Sequence, residues 1–117
     1  MSRSSQAYID YLTPTFDKQL RKLRDGMRIK RIEETIKKIL EDPYHNIDFG
    51  KGKFLGKRKY DAWKGDRLIF TVCEQCRTLG HQKHNHCPDC QKMGNDAVIF
   101  WELVDSHNYN EAARMFG

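Results

Sequence analysis

Apolar and polar positions alternate through Ala7–Leu12 (AYIDYL), a run whose length and period predict a short β-strand. Thr13-Pro14 follows and predicts a helix start, with Thr13 as the N-cap and Pro14 in the first turn. Phe16, Leu20, Leu23 and Met27 recur at helical spacing and mark the buried side of that helix. Asp25-Gly26 interrupts the pattern. A second helix is predicted from about Met27 to Glu41, with Ile29, Ile32, Ile36, Ile39 and Leu40 as its apolar stripe and Asp42-Pro43 as its stop. Two such helices form an αα-hairpin, and a stripe of this kind has to be buried against another layer.

Residues 44–54 are rich in Gly, Asn and His and read as a loop. Three strands are predicted after it. The first runs from about Lys57 to Trp63, with a turn at Lys64-Gly65-Asp66. The others are Arg67–Val72 and Ala97–Val104. The last two are apolar and rich in β-branched or aromatic residues, as central strands buried on both faces are. Between them, Cys73 to Asn95 shows no apolar periodicity and reads as an insert. Asn110–Phe116 suits a short helical turn. The order is β-α-α-β-β-β, an α+β fold with two helices on one sheet. A chain of 117 residues fits a single domain over 1–117, with the insert at 73–95.

Charge adds a location. Lys and Arg total 21 against 16 Asp and Glu, giving +5. The stretch from Lys51 to Arg67 holds seven basic residues (Lys51, Lys53, Lys57, Arg58, Lys59, Lys64 and Arg67) against Asp61 and Asp66. The remainder nets to zero, so the whole excess lies in one patch. Phe54, Tyr60 and Trp63 interleave it. Basic residues alternating with aromatics suit phosphate contact and base stacking, which points to RNA or DNA. A plain solvated strand face is the other reading. No apolar run approaches the roughly 18 residues that span a bilayer, and Met1–Gln6 is polar, so a soluble, cytoplasmic protein with no membrane partner is expected.

In that compartment four cysteines are expected as metal ligands rather than disulfides. Cys73, Cys76, Cys87 and Cys90 read C-x2-C-x10-C-x2-C. Two such pairs each present two sulfurs, and together they close a tetrahedron around one structural Zn²⁺ per chain. The insert is then a zinc-knuckle loop between the last two strands. His81, His84 and His86 lie in the same segment, and His86 is best placed to replace a cysteine. With Lys83 they are otherwise solvated or in contact with RNA.

Three pieces, taken in order, resemble the RelE/ParE toxin superfamily: Y-I-D-Y-L-T-P-T-F-D-K-Q-L-R-K-L (8–23), I-L-E-D-P (39–43) and G-D-R-L-I-F-T-V (65–72). The resemblance covers nearly the whole chain apart from the insert. It implies a strand, a helical hairpin and an antiparallel sheet. For function it implies a RelE-type toxin of a type II toxin–antitoxin system, a ribosome-dependent mRNA endonuclease. Such enzymes use the RNA 2′-OH as nucleophile and need a base near it, cations around the phosphate and an acid for the leaving 5′-oxygen. Arg67 matches the family arginine that holds the scissile phosphate, a task suited to a guanidinium fork. The family lysines sit on the preceding strand, where Lys57 and Lys59 share one face and Arg58 and Tyr60 the other, with Lys64 a further candidate. His107 and Tyr109 stand near the C-terminal arginine and tyrosine of the family, although Asp105-Ser106-His107-Asn108-Tyr109 departs from that pattern.

The expected catalytic set is therefore Arg67, Lys57, Lys59, His107 and Tyr109. The expected RNA-binding set is Lys51, Lys53, Arg58, Tyr60, Trp63 and Lys64. Expected partners are mRNA, the ribosome and an acidic antitoxin. Two alternatives stand beside this reading. One is a non-catalytic RNA- or ribosome-binding zinc protein on the same fold, which the altered C-terminal motif favours. The other is a ParE-like gyrase inhibitor, for which no residue speaks specifically.

Overall fold

Thr13 begins the helical layer as its residue type requires. In the computed structural model, which describes residues 8–44, 57–62, 65–78 and 92–104, its hydroxyl accepts the Phe16 N–H at 3.2 Å. Pro14 occupies the first turn of α1, Pro14–Arg21. The same hydroxyl donates to the Trp101 carbonyl at 2.8 Å, so the cap also fastens the helix to the sheet. Asp25 caps α2, Gly26–Glu41, by accepting from the Met27 and Arg28 N–H groups. That cap brings Gly26 into the helix, one residue before the predicted start.

The strands are β1 (Ile9–Leu12), β2 (Arg58–Asp61), β3 (Arg67–Val72) and β4 (Ala97–Val104). They form one sheet in the order β1-β4-β3-β2. β2 with β3 and β3 with β4 pair antiparallel, but β1 runs parallel to β4, with Ile9 opposite Ala97 and Leu12 opposite Phe100. The sheet is therefore mixed, and the expectation of a purely antiparallel sheet is corrected. The reason is topological. A parallel neighbour needs a crossover connection, and the helical hairpin carries the chain from β1 at one edge to β2 at the other. The class is α+β, as expected.

Alternation along β3 and β4 divides the core. Leu68, Phe70, Val72, Val98, Phe100 and Leu103 face the helices and pack on Phe16, Ile32, Ile36, Ile39 and Leu40. On the other face Ala97 and Ile99 pack with Cys73, Tyr11, Met93 and Trp101. Met27, expected on the buried stripe, is instead 49% exposed at the start of α2. The β3–β4 register slips between Ile69 and Phe70, which pair with Glu102 and Phe100 and leave Trp101 as the bulged residue.

β1 stops at Leu12, yet the backbone of Leu103 beyond it does not lack partners. The Gln19 side chain of α1 donates to the Leu103 carbonyl at 2.9 Å and accepts its N–H at 2.7 Å. One amide thus substitutes for the next residue of an edge strand. Gln19→Leu is expected to cost about 1–3 kcal/mol in urea unfolding, because it strands a donor and an acceptor together. Gln19→Glu should also destabilise, since a carboxylate accepts the N–H but cannot donate to the carbonyl. Wild-type stability in both variants would refute the substitution role.

The segment expected to be irregular from Cys73 begins instead as a helix. α3, Cys73–Thr78, leaves β3 without a linker and buries Cys73 and Cys76. Arg77 then reaches across to the Met93 carbonyl and the Asn95 side chain, joining the two described ends of the insert.

Candidate nucleic-acid interface and cysteine helix

The two faces of the sheet have different chemistry. Cross-strand pairs place Lys59 beside Ile69 and Asp61 beside Arg67, on the face turned away from α1 and α2. Lys57 belongs to the same side: its ammonium lies 5.0 Å from the centre of the Trp101 ring. Lys57, Lys59 and Arg67 are thus brought to one face. Arg58 and Tyr60 pair with Phe70 and Leu68 and lie on the helix side. Tyr60 packs against the main core, and Arg58 is only 5% exposed.

Arg67 points along the sheet rather than away from it. Its side chain is 19% exposed, and Nε donates to Asp61 Oδ1 at 3.0 Å. The Asp61 carboxylate is 65% exposed and so lies at the open edge of that pair. Trp101 sits beside Lys57 with its indole N–H donating to the Thr71 hydroxyl at 2.9 Å, which fixes the ring plane. Trp101 was not singled out from sequence because it closes the apolar run Ala97–Trp101. Its aromatic bulk there reads as core, although alternation places it on the same face as Ala97 and Ile99.

The turn before Arg67 is held from the opposite side. Arg28 of α2 forms a two-pronged ion pair with Asp66, Nε to Oδ2 at 2.8 Å and Nη2 to Oδ1 at 2.7 Å. The Asp66 carbonyl accepts the Ala62 N–H at 2.7 Å, and Gly65 adopts φ 86°, a conformation that favours glycine. Asp66 therefore anchors the hairpin whose next residue is Arg67.

Around α3 the polar groups form a second cluster. Arg58 Nε donates to Gln75 Oε1 at 2.8 Å, and its guanidinium lies 5.1 Å from the centre of the Tyr44 ring. The Tyr44 hydroxyl donates to Glu74 at 2.9 Å. Burial, reinforced by the Glu74 carboxylate, pushes that hydroxyl well above the ordinary tyrosine range. Burial also lowers the Arg58 guanidinium below its ordinary value, although a group that basic stays charged.

Cys73 and Cys76, three residues apart, emerge on one side of α3 and are both buried. This suits one half of a four-thiolate site. Cys87 and Cys90 lie outside the described residues, as do His81, His84 and His86. Among the described residues no three His, Cys, Asp or Glu side chains come together. Lys51, Lys53, Trp63, Lys64, His107 and Tyr109 also lie outside the described residues, as do most of the 44–54 loop and the C-terminal turn. No described helix is long and apolar enough to cross a membrane. No protein-family model, no curated protein and no solved structure matches the chain.

Proposed function

We propose that the chain is a RelE-type toxin of a type II toxin–antitoxin system, a ribosome-dependent mRNA endonuclease that halts translation in the cytoplasm. The observation that carries the reading is the placement of Lys57, Lys59 and Arg67 on the sheet face opposite the helices, with the fixed Trp101 ring beside Lys57. The element order and the motifs at 8–23, 39–43 and 65–72 support the same reading. In this role Arg67 grips the scissile phosphate, and Lys57 and Lys59 offset charge that builds on it as the 2′-OH attacks. His107 and Tyr109 are the candidates for moving protons to and from the reacting oxygens. An acidic antitoxin segment is the partner expected to cover so basic a face.

Primer extension on mRNA in translating ribosomes, with the pure protein added, tests the proposal. Cuts within the decoding-site codon support it. Intact mRNA together with salt-sensitive ribosome binding replaces it with the non-catalytic reading, which the departure at Asp105–Tyr109 favours. Neither cuts nor binding overturns both.

Cys73, Cys76, Cys87 and Cys90 are the proposed ligands of one zinc ion, whose chemistry here is to tie the two ends of a polar insert together. Protein purified without added metal is expected to contain about one equivalent of zinc per chain, and Cys73→Ser should lower that occupancy. Preparations with no metal, or with iron only, would count against the site.

A further inference from the structure

α3 stands at the end of β3 and reaches both faces of the sheet. Its first residue, Cys73, packs with Ala97 and Ile99, and Trp101 lies against that cluster on the face that carries Lys57. Its next two residues turn to the other face, where Gln75 holds Arg58 and Glu74 holds Tyr44. Lys57 and Arg58 are adjacent in sequence and point to opposite sides, so α3 is connected to β2 from above and below. β2 itself is a four-residue edge strand whose sheet partner is β3. A strand that short and at an edge draws much of its position from its side chains.

Arg58 is the unusual member. It is 5% exposed on an edge strand, and its guanidinium is held between the Gln75 amide of α3 and the Tyr44 ring. Its sequence position among basic residues suggests contact with an anion, but it lies on the wrong face for that. We propose that Arg58 is a positioning residue: it couples the state of the Cys73–Cys76 helix to the placement of β2, and so to Lys57 and Lys59. Gln75 and Glu74, the residues between the two cysteines, are the other half of the link. Metal capture or loss at the cysteines then tightens or loosens the basic strand. The metal part of this rests on the zinc proposal, whereas the Arg58–Gln75 link stands on geometry alone.

Coupling is reciprocal, so it is readable from either end. Hydrogen exchange of residues 58–61 and pulsed alkylation of Cys73 and Cys76 are measured in the full chain. Both are read in the protein as purified and after treatment with a zinc chelator, with bound metal quantified in each sample. Gln75→Leu removes the acceptor from α3 without emptying the core and is expected to speed exchange in 58–61 about tenfold, the scale of a lost hydrogen bond to a charged group. Arg58→Met is expected to raise cysteine alkylation to a similar degree, and Arg58→Lys should recover part of the protection. Lys59→Met, on the same strand but the other face, should leave alkylation at the wild-type rate.

Chelation of a zinc-bearing sample should speed exchange in 58–61 in the wild type and less so in Arg58→Met. Unchanged exchange in Gln75→Leu, or equal alkylation in Arg58→Met and Lys59→Met, overturns the coupling. A preparation that carries no zinc fails the metal reading but leaves the variant comparisons fully readable, so the two failures are distinguishable.

Discussion

Arg28→Ala is expected to destabilise the fold by about 3–5 kcal/mol, the usual cost of removing one partner from a buried ion pair. The partner left behind decides the size. The Asp66 side chain is 6% exposed, whereas Arg28 is 37% exposed. Deleting the arginine therefore leaves a carboxylate inside the protein without its two-pronged donor. Deleting the carboxylate leaves a guanidinium that can turn into water. Asp66→Ala should accordingly cost less, about 1–3 kcal/mol. The double variant should resemble Asp66→Ala, because once the acid is gone the arginine has little left to offset. Urea unfolding followed by tryptophan fluorescence measures all three. Equal losses in the two single variants would mean that Asp66 is better hydrated than its burial indicates. The pair matters beyond stability because it fixes the turn that presents Arg67.

The helices were readable because their ends carry their own chemistry. Thr13-Pro14 and Asp25 cap as their side chains dictate, and the isoleucine stripe of α2 is the buried one from Ile32 onward. β3 and β4 were readable for a different reason. An apolar run of six or eight residues with β-branched side chains suits a central strand, and both are central. The parallel pairing of β1 with β4 was not readable, since a four-residue alternating strand is compatible with either direction. α3 was missed because four polar residues around two cysteines have no apolar period; its burial comes from Cys73 and Cys76, which read as ligands.

For the site, alternation was enough to separate Lys57 and Lys59 from Arg58 and Tyr60, and that separation holds. What alternation cannot supply is which face lies under the helices. That depends on Leu68, Phe70 and Val72, three residues no more apolar than Ile69 between them. The depth of Arg58 was equally hidden, because the described groups it meets, Tyr44 and Gln75, are distant in sequence. Gln19 shows the same limit. A glutamine on a helix carries no mark that its amide will complete a strand 84 residues away.

On the proposed reading, Arg67→Ala is expected to lower the rate of ribosome-dependent mRNA cleavage by about 10²–10³, the usual loss when a preorganised charge at a reacting centre is removed. Arg67→Lys should recover only part, because an ammonium restores charge but not the planar fork. The structure adds a variant of opposite sign. Asp61 places a carboxylate oxygen 3.0 Å from Arg67 Nε, where a phosphate oxygen would have to bind. Because the Asp61 carboxylate is open to water, replacing it costs the hairpin about 1 kcal/mol and leaves the fold intact. Asp61→Asn should therefore tighten ribosome and RNA binding and steepen its dependence on log salt by about one unit, as if one more phosphate were neutralised. Binding titrations at several salt concentrations, run beside primer extension, separate the cases. If Asp61→Asn and Arg67→Ala both reduce cleavage while binding stays constant, the carboxylate takes part in the reaction and is no competitor for the phosphate. If both leave cleavage untouched, Arg67 serves the hairpin and the phosphate site lies elsewhere. Opposite signs from two residues that touch are the result that only a shared anion site produces.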